Sequence, residues 1–389
     1  MNDDIITLIS RDGKDKIVCC KYMEESFKKE GYISSKKLYI INLLYKLSDF
    51  KILRKIKVFF TLCLRCKFFF QDPKHIELVI FDSENTTSVE KILPDKNYVI
   101  ISTRIEQINK IYVSKKIIFY IIKNFFKCSL KQNYLTALIK IIAPKIVVTH
   151  ISDSRDFHIV SKTLNNKIKF IAIQTYAPTA INTMFPGKDK KNFFIPKLFC
   201  YGKFDELFYK KKKVNIGSFE AVGSIKSSLA YEYTQSEKLK INPNKYDICL
   251  ISETMVSLNK ADHPQIKNLP DSLGLVAEFT HRLCRKHNLN MVISGKAAKD
   301  TVGARREIYF YKHYLKNYNF EILHSPKETR MYSSYINVMQ SKLTIANIST
   351  MLREAISFEK KFYLLILPDI PNLYFLDLAL HFLKKVYVS

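Results

Sequence analysis

A short segment near the end of the chain, Ile345-Ala-Asn-Ile-Ser-Thr-Met-Leu-Arg-Glu354, carries the most specific grouping of residues that could do chemistry. It joins a strand-like apolar run to a helical pattern, which predicts Ser349 and Thr350 at a helix N-terminus. Free backbone N–H groups and the helix dipole favour an anion there, and the two hydroxyls can hydrogen-bond a phosphate. Glu354, one turn further on, can accept from a ribose hydroxyl. Serine or threonine followed by glutamate one turn later is also an ordinary capped helix start, so two interpretations remain open.

Ser294, Gly295 and Lys296 follow another strand-like run and form a second candidate site. Glycine lets the backbone approach a ligand closely, and the lysine ammonium can neutralise a phosphate or a sugar carboxylate. His324 follows the next strand-like run and is assigned to the same phosphate-binding set. A Ser-Gly-Lys tripeptide is also an ordinary turn. The chain has nine glycines but no Gly-x-Gly-x-x-Gly and no P-loop, which argues against a dinucleotide-dependent dehydrogenase and a P-loop NTPase.

A third group follows a strand-like run in the first half of the chain. Asp153 and His150 are the candidate catalytic residues, because either could deprotonate a hydroxyl group and the carboxylate could stabilise or capture an electrophilic carbon. The alternative is that Ser152 or Asp153 caps a helix and the nearby histidines lie on the surface. Gln174 and Ser252, at two further strand ends, are the candidate contacts for an acceptor or a sugar.

The elements that must position these groups are short apolar runs of strand length that alternate with helical segments. Continuous apolar strands separated by helices are typical of a parallel sheet covered on both faces. In such a sheet, ligands bind beyond the carboxyl ends of the strands, where every candidate residue above is predicted to lie. The predicted strands are 76–81, 98–102, 145–149, 169–173, 198–201 and 220–222, and then 246–251, 290–293, 320–323, 342–345 and 362–367.

The two series of strands in a chain of 389 residues predict two domains. We expect a basic N-terminal extension at 1–75, an N-terminal domain at 76–235 and a C-terminal domain at 246–389, with a polar linker at 231–245. The predicted fold class is α/β: two Rossmann-like, doubly wound parallel sheets that face a cleft, preceded by a helical extension. Within the extension, Lys51–Phe70 interleaves cationic and apolar residues, which fits a helix on anionic lipid or one covering the first domain.

The net charge of +27 is large. Part of it reflects an amino-acid usage, rich in Lys, Ile, Asn, Tyr and Phe, that an AT-rich genome encodes by default. The rest favours an anionic partner, either a membrane surface or an anionic substrate. No nucleic-acid module is recognisable, so no nucleic-acid partner is predicted. The pair Cys63 and Cys66 has no matching second pair, and we predict no metal site and no cofactor.

Several segments resemble the surface-carbohydrate transferases of bacterial polysaccharide loci. They are Phe-Ile-Ala-Ile-Gln174, Leu-Phe-Cys-Tyr-Gly202-Lys-Phe-Asp-Glu, Ala-Val-Gly223-Ser-Ile-Lys, Tyr-Asp-Ile-Cys-Leu-Ile-Ser252, and the stretch from Ser349 to Glu354. The resemblance extends from about residue 76 to 360. It implies the two-domain fold called GT-B, and it implies that Ser349, Thr350 and Glu354 hold the nucleotide of a sugar donor. One departure is the turn after Gln174, which reads Thr-Tyr-Ala-Pro in place of the usual glycine-containing turn.

The resemblance and the two predicted sheets together favour a glycosyltransferase that moves a sugar from a nucleotide-sugar donor, including CMP-activated sugars, to a surface polysaccharide or glycolipid. The expected partners are that donor, a lipid-linked or polysaccharide acceptor and an anionic membrane surface. The alternatives are a sugar-nucleotide epimerase or hydrolase of the same fold, and a non-catalytic basic protein that binds polyanions. The polar, acidic start has no signal-peptide pattern, so we expect a cytoplasmic enzyme at the inner face of the cytoplasmic membrane.

Overall fold

The computed structural model describes residues 60–364 except 85, 94–96, 106, 176–193, 212, 254–268, 316–319, 327–328 and 347–348. The chain divides into two compact units, and the boundary between them follows Ile225. The N-terminal unit is Lys51–Ile225 and the C-terminal unit contains Lys226–Ser389. Each unit is described separately below.

The N-terminal unit contains two parallel sheets. After a helical segment at 60–65, its elements are β1 (Lys67–Phe69), β2 (Leu78–Phe81), α1 (Thr86–Ile92), β3 (Tyr98–Ile101), β4 (Lys110–Tyr112), α2 (Lys115–Lys123), α3 (Leu130–Ile142), β5 (Ile146–Thr149), α4 (Arg155–Leu164), β6 (Lys169–Ile173), β7 (Phe194–Cys200), α5 (Lys203–Lys211) and β8 (Asn215–Ala221). β1 pairs with β4, and the other six form one sheet in the order β3-β2-β5-β6-β7-β8. Every pairing is parallel.

The central strands of the six-stranded sheet are buried because their residues are apolar on both faces. Val79, Ile80 and Phe81 of β2 have no exposed surface. Phe81 packs edge to face on Phe157 of α4, which in turn packs on Phe170 of β6. Burial of such continuous apolar strands supplies most of the favourable free energy of a parallel sheet.

Serine residues begin the helices that cover this sheet. Ser114 and Ser154 accept hydrogen bonds from backbone N–H groups of the first turns of α2 and α4. Ser129 and Gln132 form a capping box at the start of α3. Each cap satisfies a backbone donor that has no partner within its helix, typically stabilising the helix by about 1 kcal/mol.

The C-terminal unit is a second parallel sheet covered on both faces. Its elements are α6 (Ile225–Ser236), β9 (Tyr246–Ile251), α7 (Leu269–His287), β10 (Met291–Ala298), α8 (Val302–Leu315), β11 (Glu321–Ser325), α9 (Arg330–Met339), β12 (Ser341–Ala346), α10 (Met351–Ile356) and β13 (Lys361–Leu364). The strand order is β11-β10-β9-β12-β13, and all pairings are parallel. Ile248 and Leu250 of β9 pack with α7 and α8 on one face, and Cys249 and Ile251 pack with α9 and α10 on the other.

The α/β class and the two Rossmann-like parallel sheets are confirmed. Some bounds differ from the expectation. The strand predicted at 290–293 continues to Ala298, with an irregularity in its pairing with β11 between Ser294 and Ala298. The proposed linker at 231–245 is helical up to Ser236, because α6 belongs to the second unit, where Tyr233 stacks on Tyr332 with ring centroids 4.3 Å apart.

Two expectations concern residues that the structure does not describe. Most of the extension at 1–75, including the Lys51–Phe59 part of the proposed lipid-binding stretch, lies outside the described residues. So does the last predicted helix, near 372–385. The facing of the two sheets across one cleft stays a prediction.

His158 on α4 makes the stability of the protein depend on pH. The imidazole is fully buried, and its Nδ1 lies 3.1 Å from the carbonyl oxygen of Phe194. Burial lowers the pKa of His158 to about 4, from 6.5. The folded chain therefore binds fewer protons than the unfolded chain between these values, and stability is lost as the pH falls from about 6.5 towards 4. We expect a loss of about 3 kcal/mol over that interval, and His158→Gln should remove it.

Urea unfolding at pH 7, 5 and 4 measures this loss. The exposed His287 provides a matched control, because His287→Gln should keep the pH dependence of the wild type. An unchanged dependence in His158→Gln would assign the acid sensitivity to other groups.

Candidate active site

The strand order of the six-stranded sheet and that of the five-stranded sheet each reverse once along the chain. In the N-terminal unit the chain passes from β2 to β3 on one side and then reaches β5 on the other side of β2. In the C-terminal unit it passes from β9 through β10 to β11 and then reaches β12 on the other side of β9. Such a reversal opens a crevice at the carboxyl ends of the two strands that flank it, and ligands bind there in open α/β sheets. The crevices lie between β2 and β5 and between β9 and β12.

Asp82 begins the first crevice directly after β2. Its backbone has φ +77°, a left-handed conformation that costs energy for a residue with a side chain. The buried carboxylate accepts from the Thr103 hydroxyl at 2.6 Å and from the Glu84 N–H at 3.1 Å. Arg104 Nε lies 3.8 Å from Asp82 Oδ1, and the Arg104 guanidinium also pairs with Glu84. A fixed carboxylate and a half-exposed guanidinium therefore stand at the end of β2.

Asp153 and His150 occupy the other side of this crevice, after β5. Burial raises the pKa of Asp153, the positive charge of Arg104 lowers it, and the negative charge of Asp82 raises it, so that the net pKa lies above the usual 3.8. Ser154, not Ser152 or Asp153, provides the N-cap of α4 through its side chain. The carboxyl group of Asp153 is thus not the cap of this helix, and a carboxylate with a raised pKa is suited to accept a proton.

His150 is buried at the same strand end. Its carbonyl oxygen accepts a hydrogen bond from the Thr175 hydroxyl, which ties the end of β5 to the end of β6. Gln174, also at the end of β6, is buried and donates from Nε2 to Asp205 Oδ1 at 2.9 Å. Its Oε1 accepts from the Tyr201 N–H at 3.3 Å. The Gln174 amide therefore fixes the ends of β6 and β7 and the start of α5.

The buried phenol of Tyr209 in α5 interacts electrostatically with both Asp153 and Asp205. Burial raises the pKa of this phenol, and the negative charges of Asp205 and Asp153 raise it further, while the Ser152 hydroxyl lowers it by hydrogen bonding. The predicted catalytic Asp153 and the predicted ligand-contacting Gln174 thus belong to one polar neighbourhood. It contains Asp205, a carboxylate that the candidate set did not include, and Asp153 also interacts electrostatically with Asp82.

Glu307 of α8 organises the strand ends of the C-terminal unit. Its carboxylate is 1% exposed and accepts from the Ser252 hydroxyl at 2.5 Å, beyond the end of β9. It also accepts from the N–H groups of Lys296 and Ala297 in β10, each at 2.9 Å. His324 Nε2 in β11 lies 2.9 Å from its Oε2. One carboxylate therefore binds groups from three neighbouring strands, including three of the residues predicted from sequence.

The balance of burial and hydrogen bonding decides the charge of Glu307. Burial raises the pKa of Glu307, whereas hydrogen bonds from His324, Ser252, Ala297 and Lys296 lower it. The hydrogen bonds outweigh burial, so the pKa lies below 4.5 and the group is ionised at neutral pH. With an ionised acceptor, His324 Nε2 is the donor in their contact.

Gly295 is required by the same arrangement. A Cβ atom at this position would lie 2.6 Å from His324 Cδ2 and 3.0 Å from the Leu323 carbonyl oxygen. The close approach at Gly295 is thus to the His324 imidazole within the sheet, and the approach to a ligand expected from the sequence stays a prediction. Beside it, Ser294 Oγ accepts from Asn337 Nδ2 at 3.1 Å, while the Lys296 side chain is exposed. Lys296 is therefore the member of the tripeptide with an exposed side chain.

Ser349 and Thr350 follow β12, across the second crevice from Ser252. Both are half-buried and lie just before α10, a helix of six residues. Ser349 Oγ accepts from the Met351 N–H at 3.3 Å, whereas the Thr350 side chain makes no capping hydrogen bond. Glu354 is buried one turn further on. The sequence-predicted helix start is confirmed, and the binding role of these residues stays a prediction.

Sequence reasoning identified the strand ends but missed the carboxylates that hold them. Glu307 lies in the helical pattern Ala304-Arg-Arg-Glu-Ile-Tyr, which gives no sign that this side chain is turned inward. Asp205 similarly reads as a first-turn acidic residue of α5. Among the described residues, no three His, Cys, Asp or Glu side chains are grouped so that they could hold a metal ion.

Comparison with known proteins gives similarity in structure only. No family model matches the sequence, and no curated protein is detectably similar to it. A glycosyltransferase from Rickettsia africae ESF-5 is 14% identical over 74% of this chain and 78% of its own, with a TM-score of 0.35. A sucrose-phosphate synthase from Thermosynechococcus elongatus is 9% identical over 79% and 90%, with a TM-score of 0.41. A UDP-GlcNAc 2-epimerase from Methanocaldococcus jannaschii is 9% identical over 78% and 91%, with a TM-score of 0.39. Because these TM-scores are below 0.5, the fold assignment rests on the sheets and helices of the chain itself.

Replacing Asp153 should stabilise the protein. A carboxyl group whose pKa is raised by folding opposes the fold once it ionises, so its contribution worsens as the pH rises through the folded-state pKa. Asp153→Asn removes that charge and keeps a side-chain acceptor, and we expect a higher Tm than the wild type at pH 7.5. Scanning calorimetry measures the difference.

Asp156 in the first turn of α4 is the matched control. It pairs with Lys131 at 2.6 Å and accepts from Gln132 at 3.2 Å, so Asp156→Asn should lower stability by about 0.5 kcal/mol. A lower Tm in Asp153→Asn as well would show that Asp153 is a stabilising residue.

Removing the Glu307 carboxylate should destabilise the protein strongly. Glu307→Ala leaves four donors of the strand ends without their acceptor, and we expect a loss of about 3–5 kcal/mol at pH 7. Glu307→Gln keeps one acceptor and should lose about 1–2 kcal/mol. Because the folded-state pKa lies below 4.5, the contribution of the wild-type carboxylate is complete above that pH and is lost as the pH falls through the folded-state value.

Chemical denaturation of both variants tests this ranking. The exposed Glu321 of β11 is the control, since Glu321→Ala should stay within about 0.5 kcal/mol of the wild type. Equal stability of Glu307→Ala and Glu321→Ala would mean that the carboxylate does not hold the strand ends.

Proposed function

We propose that the chain is a glycosyltransferase of the GT-B type, which binds the nucleotide of a sugar donor on the C-terminal unit and the acceptor on the N-terminal unit. One observation carries this proposal: both sheets reverse their strand order, and candidate residues flank each reversal. Asp82 and Asp153 flank the first crevice, and Ser252 and Ser349 flank the second. Two open α/β sheets with polar crevices suit a reaction between two separately bound substrates.

The C-terminal crevice has the groups that a nucleoside phosphate needs. Ser349 and Thr350 offer hydroxyls and backbone N–H groups, and the exposed Lys296 offers a positive charge. Glu354 is the proposed acceptor for a ribose hydroxyl. The Glu307 hydrogen bonds hold the backbone of Lys296 and the side chains of Ser252 and His324 in one arrangement, so the site costs little reorganisation when a ligand binds. Binding by basic and hydroxyl groups needs no metal, and we propose a metal-independent enzyme.

The N-terminal crevice has the group that activation of an acceptor needs. In the proposed reaction Asp153 takes the proton of the acceptor hydroxyl, the oxygen attacks the anomeric carbon, and the bond to the donor phosphate breaks. The phosphate leaves with the electron pair, and its negative charge is stabilised by Lys296 and the N–H groups. The raised pKa of Asp153 suits this role because a stronger base accepts the proton more readily.

The proposed product is a surface polysaccharide or glycolipid, and the proposed donors include CMP-activated sugars. This part rests on the resemblance of the strand-end segments to surface-carbohydrate transferases. A lipid-linked acceptor would place the enzyme at the inner face of the cytoplasmic membrane. No helix in the described part of the chain is both long enough and apolar enough to cross a bilayer.

Thermal unfolding with CMP, CDP, UDP, GDP and dTDP tests the donor site. A nucleotide present at one hundred times its Kd stabilises the folded protein by about 2.7 kcal/mol, so we expect one of the five to raise Tm. Ser349→Ala should reduce that shift. Ser357→Ala is the control, since Ser357 lies just after α10 and its hydroxyl donates to the Glu354 carbonyl oxygen at 2.6 Å.

Absence of a shift with all five nucleotides would contradict the proposal. If the nucleotide raised the Tm of Ser349→Ala and of the wild type equally, the nucleotide would not bind in this crevice. Once a nucleotide is identified, its sugar conjugates are incubated with the enzyme without acceptor. Conversion of the sugar under those conditions would favour the epimerase or hydrolase over the transferase.

A further inference from the structure

Helix α2 of the N-terminal unit has an apolar face that is exposed in the described part of the chain. Its inward stripe contains Ile117, which is 1% exposed. The opposite stripe carries Ile118, Phe119 and Ile122, which are 44%, 68% and 69% exposed. Helices on the surface of a soluble domain normally place polar residues on this side. A face with three large apolar side chains in water indicates that something apolar contacts it.

The turn after α2 extends this face with two aromatic rings. Phe125 and Phe126 are 58% and 98% exposed, and their rings meet edge to face with centroids 5.3 Å apart. The turn is held by the buried Asn133 of α3, whose Nδ2 donates to the carbonyl oxygens of Asn124 at 2.8 Å and Cys128 at 3.2 Å. Leu130, 63% exposed, continues the apolar surface at the start of α3.

Lysine residues surround the apolar side chains. The segment 115–131 contains five lysines and no aspartate or glutamate. Lys116 pairs with Asp72 at 2.6 Å and Lys131 pairs with Asp156 at 2.6 Å. In the part of the chain that the structure describes, no carboxylate forms an ion pair with the remaining members, which are Lys115, Lys123 and Lys127. The charge of this surface is therefore suited to an anionic partner.

The ion pair of Lys116 joins a further exposed aromatic residue to this surface. Asp72, its partner, lies two residues after Phe70, which is 80% exposed. Phe69 of β1 stacks on Tyr112 of β4, with ring centroids 5.2 Å apart, just before α2 begins. We call Phe70, Ile118, Phe119, Ile122, Phe125, Phe126 and the lysines of 115–131 the α2 surface.

We propose that the α2 surface binds the surface of an anionic lipid bilayer. Aromatic and aliphatic side chains that alternate with lysines suit a membrane interface, because the apolar groups enter the acyl boundary while the ammonium groups remain among the phosphates. A protein partner of comparable affinity would offer carboxylates in a fixed pattern, whereas lysines on flexible stems match a fluid, evenly charged surface. This inference is independent of the proposed function. It also differs in place from the sequence expectation, in which membrane contact was one of two interpretations of Lys51–Phe70, a stretch that shares only Phe70 with the α2 surface.

Flotation of the full chain with vesicles tests the proposal. Vesicles of phosphatidylcholine alone are compared with vesicles that also contain 30% phosphatidylglycerol, at about 0.1 M and 0.5 M salt, where the Debye length falls from about 10 Å to below half of that. We expect the wild type to float with the anionic vesicles and to be released by salt. The double variant Phe125→Ser/Phe126→Ser should bind at least tenfold more weakly. Lys123→Gln/Lys127→Gln should lose about tenfold or more of the affinity for anionic vesicles and keep what affinity there is for neutral ones.

Two variants on the C-terminal unit serve as controls. Phe279 is 46% exposed there, and Phe279→Ser removes an exposed ring of the same kind from a different surface. Lys286→Gln/Lys312→Gln removes two exposed lysines, also from that unit. Both controls should float as the wild type does. Each variant is first checked for an unchanged melting temperature.

Three results would overturn the proposal. The first is a wild type that does not float with anionic vesicles. The second is flotation of Phe125→Ser/Phe126→Ser equal to that of the wild type. The third is a wild-type dimer in sedimentation that becomes a monomer in this variant, because a second copy of the chain would then be the partner of the α2 surface. The donor-site proposal is tested separately by the nucleotide panel, which none of these variants should affect.

Discussion

The parallel direction of the strands is the constraint on which the rest of this structure depends. Because all the strands of a sheet run the same way, their carboxyl ends meet at one edge, and every loop that leaves that edge can contribute to one site. The chain fills the six-stranded and the five-stranded sheet outward from β2 and β9 respectively, first on one side and then on the other. The reversal separates two neighbouring loops and leaves a crevice between them, so the position of each candidate site follows from the strand order.

Buried carboxylates then fix what the strand order brings together. An ionised carboxylate inside a protein is unfavourable unless several donors replace its water. Glu307 has four such donors, taken from three strand ends, and its pKa is lowered. Asp153 also lies at a strand end, but there the effect of burial exceeds that of hydrogen bonds and nearby positive charge, so its pKa is raised. The same chemical group therefore holds strand ends together in the C-terminal unit and is the proposed base in the N-terminal unit, and the balance between burial and hydrogen bonding makes the difference.

The exposed surface of α2 in the N-terminal unit is not explained by the packing of the sheet. The sheet requires α2 to bury only one stripe, and Ile117 meets that requirement. The apolar residues on the opposite stripe and in the following turn are 44% to 98% exposed, and exposed apolar side chains of this size favour aggregation. Their presence beside lysines, in a segment without acidic residues, is the reason to assign this surface a partner.

The sequence by itself determined the fold class and the edges at which the candidate residues lie. Hydrophobic periodicity is a local property, so runs such as Tyr246–Ile251 identified the strands, and the residue after each run identified the edge. The start of α10 at Ser349 and Thr350 was likewise predicted from the sequence, since a helix start depends on a few neighbouring residues. Only the tertiary structure decided which of these side chains form hydrogen bonds with other parts of the chain. Ser252, Ser294 and Gln174 are directed into hydrogen bonds with Glu307, Asn337 and Asp205, residues 55, 43 and 31 positions away in the chain. Helical periodicity could not show that Glu307 is turned inward, because the donors it binds are brought together only when three distant strands pair.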